Sequence, residues 1–99
     1  MYVVVARVRA KPGRGRDLER HLIEMAEWVT ANEPETLTYL CNRSRTNSDE
    51  FVFFERYSSV KAFEAHAQSD RFRTLAKRIA DLLDGPATIE AFDEIAGKR

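Results

Sequence analysis

Residues 51–72 read FVFFERYSSVKAFEAHAQSDRF, and no other stretch of the chain is as informative. The first seven of these residues predict a strand, in which successive side chains point to opposite faces of a sheet. Phe51, Phe53 and Tyr57 fall on one face, and Val52 and Phe54 fall on the other. Since both faces are apolar, neither is typical of the solvated side of an open sheet. Both faces of this strand should therefore be covered.

A short helix is predicted directly after this strand, over residues 59–68. Ser58 and Ser59 supply hydroxyl oxygens suited to capping its first turn. Its predicted buried stripe consists of Val60, Ala62, Phe63 and Ala67. His66 lies one turn beyond Ala62 and Phe63, on the same side of the helix. This spacing predicts that His66 sits at the edge of the core and not in water.

The rest of the chain supplies three more strands and two more helical segments. Residues 2–9 are rich in β-branched side chains and end at a Pro-Gly turn, which predicts a strand. Apolar residues at helical spacing predict a helix over residues 16–32, and Pro34 ends it because the residue before proline avoids the helical region. The other predicted elements are strands over 36–43 and 87–95, a polar hairpin loop over 44–50, and, after a break at Ser69-Asp70, a longer helix to residue 83.

This order of elements predicts a ferredoxin-like α+β fold, βαββαβ, with both helices on one face of an antiparallel four-stranded sheet. The whole chain, residues 1–99, is expected to form a single domain. Helices on one side leave the other sheet face bare, and strands one and three are apolar on both sides. Such a face exceeds the hydrophobic area that monomers usually expose. We therefore expect a homodimer that associates through its sheet faces.

Composition narrows the range of partners. With 16 basic and 16 acidic residues the formal charge is zero, so neither nucleic acid nor an anionic membrane is an expected partner. Cys41 is the only cysteine, which excludes an intrachain disulfide, and with two isolated histidines it leaves no zinc or iron-sulfur spacing. The apolar run at the N-terminus is too short for a signal peptide or a membrane span. These observations predict a cytoplasmic protein without a metal.

The chain resembles the antibiotic biosynthesis monooxygenase domain of the dimeric α/β barrel superfamily over nearly its whole length. The residues that carry the resemblance are Val3 to Val8, Lys11-Pro12-Gly13, Glu33-Pro34, Tyr39, Phe51-Val52, Glu55, Tyr57, Ala62, Ala65-His66, Ser69 and Phe72. The resemblance implies a dimer whose two sheets close into a barrel, with a pocket between sheet and helices in each subunit. Enzymes with these features include cofactor-free oxygenases of quinols and aromatic polyketides, haem-degrading oxygenases, and an isomerase of a processed signalling sugar.

Several positions depart from the family pattern. Arg71 stands where a second histidine is frequent, Tyr57 where tryptophan is frequent, and Glu35 where glycine is common. The haem-degrading branch resembles this chain least. That branch would place tryptophan at position 66, histidine near 76 and asparagine at 6, where this chain has His66, Ala76 and Ala6. Haem is therefore not an expected substrate.

A cofactor-free oxygenase relies on its substrate for electrons, because a deprotonated phenol or hydroquinone can pass an electron to O2. The protein then supplies a base and an apolar pocket that excludes water. His66 is the candidate catalytic base, since its ordinary pKa lies near neutrality. The alternative is a structural histidine that hydrogen-bonds a neighbouring carbonyl. Candidate substrate-pocket residues are Trp28, Tyr39, Tyr57, Phe72 and Arg71, for which the alternatives are core packing or, for Arg71, the surface.

Other polar residues suggest structural roles. His21 is predicted to lie on the solvated side of the first helix, and Cys41 to be a small core residue. Glu55 lies in an apolar strand, so if buried it needs a partner, for which Arg7, Arg43, Arg56 or the other subunit is available.

Two functional hypotheses follow. One is a cofactor-independent monooxygenase that acts on a small electron-rich aromatic with O2, or an isomerase that uses the same pocket. The other is a non-catalytic dimeric binding or stress-response protein. A cavity that reaches His66 would favour the enzyme, and a pocket filled by Trp28 and Phe72 would favour the binding protein.

Overall fold

The computed structural model describes residues 1–98, and its elements follow the predicted order. They are β1 (Tyr2–Arg9), α1 (Gly15–Asn32), β2 (Thr36–Arg43), β3 (Glu50–Tyr57), α2 (Val60–Gln68), α3 (Asp70–Ile79), a 3-10 turn (Ala80–Leu82) and β4 (Thr88–Asp93). The strands form one antiparallel sheet in the order β2-β3-β1-β4. The predicted ferredoxin-like α+β fold is confirmed.

Two predicted boundaries near the C-terminus are wrong by a few residues. The helix expected to reach residue 83 ends at Ile79, and the chain continues as the 3-10 turn Ala80–Leu82. There the Leu83 N–H donates to the Ala80 carbonyl, the tighter bonding common at helix ends. The strand expected over 87–95 covers only Thr88–Asp93, because its pairing with β1 runs out at Tyr2.

The start of α1 is fixed by the hairpin that joins β2 and β3. The two carboxylate oxygens of Asp49 accept hydrogen bonds from the backbone N–H groups of Gly13, at 3.1 Å, and Gly15, at 2.9 Å. A side chain at position 15 would clash, since its Cβ would lie 2.3 Å from the Ser48 carbonyl oxygen. Glycine is therefore required where the helix passes the hairpin.

The core lies between the sheet and α1. Val4, Phe51, Phe53 and Tyr57 point from the sheet toward the helices and are buried, which confirms the alternation predicted for β3. α1 packs on them through a stripe that consists of Leu18, Leu22, Met25 and Val29. The predicted stripe of α2 is wrong at Val60, which is 51% exposed. Phe63 already packs on Tyr57 at the end of β3, so one turn earlier no strand lies beneath the helix.

The opposite side of the sheet, here called the open face, carries a continuous apolar patch. Leu40 is 55% exposed, Phe54 50% and Phe92 46%. Phe54 pairs across strands with both Leu40 and Val5, and Phe92 pairs with Val3. Directly paired residues share a face of the sheet, so these side chains adjoin one another. None of the helices lies over them, because the helices pack on the other face.

Among residues 1–98, no helix has both the length and the apolar character needed to cross a membrane.

Candidate active site

An apolar cavity of about 320 Å³ lies between the sheet and the helices α2 and α3. Most of its lining is hydrocarbon, with Val4 and Phe53 on the sheet side and Phe72 and Ile79 on the helix side. The residues with polar side chains that line it are Tyr39, Glu55 and His66. A cavity of this size with few polar groups suits a small, mostly apolar ligand.

His66 is held in place from both ends of α2. The Ser59 hydroxyl accepts from the Ala62 N–H and caps the helix start. At the other end, the Ser69 hydroxyl donates to the His66 carbonyl oxygen at 2.9 Å and accepts from the Phe72 N–H. Ser69 thus ends α2 and caps α3, which fixes the predicted break between them.

The imidazole of His66 lies deeper than the sequence predicted. It is 3% exposed, within the core and not at its edge. The rings of Tyr39, Tyr57 and Phe72 surround it, with centroid separations of 5.2, 5.6 and 5.2 Å. Helix periodicity predicts the side of α2 on which His66 lies. It does not predict which aromatic side chains from other elements pack over the imidazole. These rings shield the imidazole from solvent.

Glu33 fixes the tautomer of His66. His66 Nδ1 lies 2.8 Å from Glu33 Oε1, and the same oxygen accepts from the Thr36 hydroxyl at 2.8 Å. A carboxylate oxygen can only accept, so Nδ1 carries the proton and Nε2 of the neutral ring keeps its lone pair. Nε2 makes no hydrogen bond to any residue from 1 to 98, and His66 lines the cavity. The arrangement provides an oriented base at the cavity wall.

Local sequence explains how Glu33 reaches His66. Pro34 ends α1, so Glu33 leaves the helix with φ −120° and ψ 81°. Its N–H still donates to the Val29 carbonyl at 2.9 Å, while its side chain turns toward α2. In the sequence, Glu33 stands out as part of the helix stop and of the family pattern, and neither indicates a contact with His66. An acidic residue at a helix end, beside no basic residue, is a further signal of such a role.

Glu55 is a second acid near His66 and is buried, with 5% exposure. Its partner is the Tyr57 hydroxyl, which donates to Oε1, so the predicted arginine partners are wrong. Strand alternation places Arg56 on the open face, where it pairs with Glu94 at 2.6 Å, and Arg43 pairs with Glu19. Burial raises the pKa of Glu55 to about 7, with a smaller opposing effect from the Tyr57 hydrogen bond and a further rise from Glu33.

The neighbouring hydroxyl and thiol groups stay protonated. Burial raises the pKa of Tyr39 and Tyr57 well above the ordinary value, and the charge of Glu55 raises both further. Burial, with a contribution from Glu19, raises the pKa of the Cys41 thiol to about 11. The tyrosines are thus hydrogen-bond donors, and Cys41, packed against the core, is not a reactive thiolate.

The structure separates the candidate pocket residues into two groups. Tyr39, Phe72 and His66 line the cavity, and Tyr57 packs against the His66 ring. Trp28 does not line the cavity. Arg71 lies with His21 in a separate crevice of about 10 Å³. Glu33 and Glu55, which were not among the candidates, complete the set of polar groups around His66.

A larger groove, of about 950 Å³, lies at the start of α1 and is lined by charged side chains. Asp17 accepts hydrogen bonds from both Arg14 and Arg20, and Asp49 is occupied by the glycine amides. These acidic groups of the groove therefore already have partners, and no buried base lines the groove. In the part of the chain that the structure describes, no cluster of three His, Cys, Asp or Glu side chains could hold a metal ion.

The raised pKa of Glu55 predicts a pH-dependent stability. The folded state binds this proton more tightly than the unfolded state, in which the pKa is near 4.5. Its contribution to the free energy of unfolding is therefore complete below about pH 4.5 and is lost as the pH rises through 7, in total roughly 3 kcal/mol. We expect Glu55→Gln to remove this loss. The melting temperature of the variant, measured relative to that of the wild type, should therefore rise between pH 5 and pH 8. Parallel melting curves would contradict the assignment.

Fold and site together define the protein as a ferredoxin-like α+β domain with a buried histidine and an apolar cavity between sheet and helices. The family model for antibiotic biosynthesis monooxygenase matches residues 1–78. The chain belongs to this family.

Similar structures extend over nearly the whole chain. A protein from Caulobacter crescentus CB15, provisionally named an antibiotic biosynthesis monooxygenase, is 28% identical with a TM-score of 0.90, covering 96% of this chain and 90% of its own. Rv0793 from Mycobacterium tuberculosis shares the fold at 24% identity and a TM-score of 0.87, covering 99% and 98%. The uncharacterised protein sll1783 of Synechocystis is 27% identical over 93 residues, which span 91% of this chain but only 60% of that protein.

Proposed function

We propose that the protein is a cofactor-independent monooxygenase that oxidises a small electron-rich aromatic of the quinol, anthrone or phenol type with O2. One observation carries the proposal: His66 lines an apolar cavity of about 320 Å³, and its Nδ1 contact with Glu33 leaves Nε2 without a partner among the described residues. A base needs this arrangement in order to accept the proton of a phenol in a site that is shielded from water.

The chemistry divides between substrate and protein. His66 Nε2 accepts the phenolic proton, and Glu33 stabilises the imidazolium that results, as a buried carboxylate does for other catalytic histidines. The phenolate is then electron-rich enough to reduce O2, so the substrate supplies the electrons. Apolar walls that include Val4 and Phe53 keep water from the anion.

The open state of the cavity supports an enzyme over a closed binding protein. Trp28 does not enter the cavity, and Phe72 forms part of its wall without filling it. From the sequence, a cavity that reaches His66 is the feature that would favour an enzyme, and His66 lines this cavity. The alternative reaction, an isomerisation, would use the same base.

We further propose that the protein is a homodimer through the open face, and that it works in the cytoplasm. The exposed apolar side chains Leu40, Phe54 and Phe92 support the first point, because a second copy would remove them from water. The free thiol of Cys41 is in keeping with a reducing compartment.

Oxygen consumption tests the proposed function. We expect the wild-type protein, without added metal or cofactor, to accelerate O2 uptake by at least one member of a panel of quinols, anthrones and catechols. Product should contain one atom from labelled O2, as a monooxygenase requires. Binding of the same compounds without O2 uptake would instead favour the non-catalytic hypothesis.

A further inference from the structure

We propose that Glu55 is a second catalytic residue of the cavity, a general acid that protonates the oxygen atom leaving as water while His66 acts as the base. This inference rests on the proposed function. It assigns a role to the buried carboxyl that the base mechanism leaves unused.

Glu55 and His66 lie close to the same two tyrosines. Glu55 is directly paired across strands with Tyr39, and it accepts a hydrogen bond from Tyr57. The His66 ring packs on both tyrosines, with centroid separations of 5.2 and 5.6 Å. The acid on the sheet and the base on α2 thus belong to the same part of the cavity, which both residues line.

The free oxygen of Glu55 is available to a ligand. Tyr57 occupies Oε1, and no hydrogen bond joins Oε2 to the residues that the structure describes. No lysine or arginine lines the cavity to hold this carboxyl as an anion. With Oε1 accepting from Tyr57, a proton on Oε2 can be donated to a bound molecule.

The surroundings favour the protonated form. The ionisable groups that face Glu55 are Tyr57 from β3, Tyr39 from β2, Glu33 from the end of α1 and His66 from α2. β1 contributes Val4, and α3 contributes the apolar Phe72, Leu75, Ala76 and Ile79. Burial and the charge of Glu33 accordingly raise the pKa of Glu55 to about 7, so much of it is a neutral acid near neutral pH.

The oxidation of a methylene to a carbonyl, as in an anthrone, needs both an acid and a base. His66 removes one proton, the carbanion adds to O2, and the peroxide takes that proton back to give a hydroperoxide. His66 then removes the remaining C–H proton as the C=O bond forms and the O–O bond breaks. The departing hydroxide takes a proton from Glu55 and leaves as water. The substrate loses four electrons to O2, and the proton on His66 returns to Glu55.

Glu55→Gln tests this role with anthrone as the probe. Glutamine keeps the shape and an acceptor for the Tyr57 hydroxyl but has no acidic proton. We expect ketone formation to fall by about 10²–10⁴, the usual contribution of a positioned acid. Oxygen uptake should continue in part and release hydroperoxide or hydrogen peroxide, which a merely structural role would not cause.

The pH profile gives a second readout that needs no variant. Wild-type ketone formation should decline as the pH rises through about 7, because the acid form of Glu55 is lost. In the control Tyr57→Phe, which removes the hydrogen bond that lowers this pKa, the decline should move to higher pH. A protonated-carboxyl infrared band that titrates in the same range should be absent from Glu55→Gln.

The outcomes separate this inference from the proposed function. Full ketone formation by Glu55→Gln, or a wild-type rate that does not decline through this pH range, would overturn the role of Glu55. If His66→Ala loses oxygen uptake while Glu55→Gln keeps the whole reaction, the monooxygenase proposal stands and the acid assignment fails. No oxygen uptake by the wild type with any compound of the panel would overturn both.

Discussion

His66→Ala should lower the turnover of an active quinol or anthrone by about 10²–10⁴. The variant removes the proposed base, whose tautomer is fixed by the contact of His66 with Glu33 at 2.8 Å. Oxygen uptake at saturating substrate measures the effect. The matched control is His21→Ala, because His21 does not line the cavity and its loss should leave turnover unchanged.

The same variant should also lose stability. His66 is 3% exposed, and its removal leaves the Glu33 carboxylate partly buried without its imidazole partner, although Thr36 still donates to it. An unsatisfied buried group of this kind costs about 1–3 kcal/mol. Thermal melting at pH 7 measures the loss. A lower melting temperature with unchanged oxygen uptake would make His66 a structural residue and remove the basis of the enzymatic proposal.

Phe54→Asp should convert the proposed dimer into monomers. Phe54 is central to the open face, where it pairs with both Val5 and Leu40. A standard interface buries about 800 Å² per subunit, and an unpaired charge inside one costs about 3–5 kcal/mol. The dissociation constant should therefore rise by roughly 10²–10⁴.

Sedimentation at micromolar concentration distinguishes the two states. Ile23→Asp is a matched control, because Ile23 is 47% exposed against 50% for Phe54 but lies on α1, away from the open face. We expect this control to stay dimeric. A monomeric wild type, or a Phe54→Asp variant that dimerises as tightly as the wild type, would refute the assignment of the open face.

Sequence patterns predicted the fold because they report local geometry. Alternation along β3 separated Phe53 from Phe54 correctly, and Pro34 located the end of α1. The boundaries failed where pairing, not propensity, ends an element, as in β4.

The site was only partly predictable, because its contacts join distant parts of the chain. His66 and Glu33 are 33 positions apart, and no periodicity relates them. Trp28 borders an apolar stripe, but a helix pattern does not say whether a cavity lies opposite it. The partner of Glu55 follows from strand alternation. Alternation places Arg56 on the opposite face of the sheet and Tyr57 on the same face as Glu55, two positions away.

β3 uses its two faces for two different purposes. Phe53 and Glu55 line the cavity, while Phe54, between them, belongs to the open face. The effect of an insertion in the preceding hairpin should therefore depend on whether the number of inserted residues is odd or even. Adding one residue that shifts the strand by one would bring Phe54 into the cavity and turn the Glu55 carboxyl outward, so the proposed catalysis and the proposed self-association would be lost together. Adding two residues would return every side chain to its original face of the sheet. The register of this one strand therefore determines both the proposed cavity chemistry and the proposed interface.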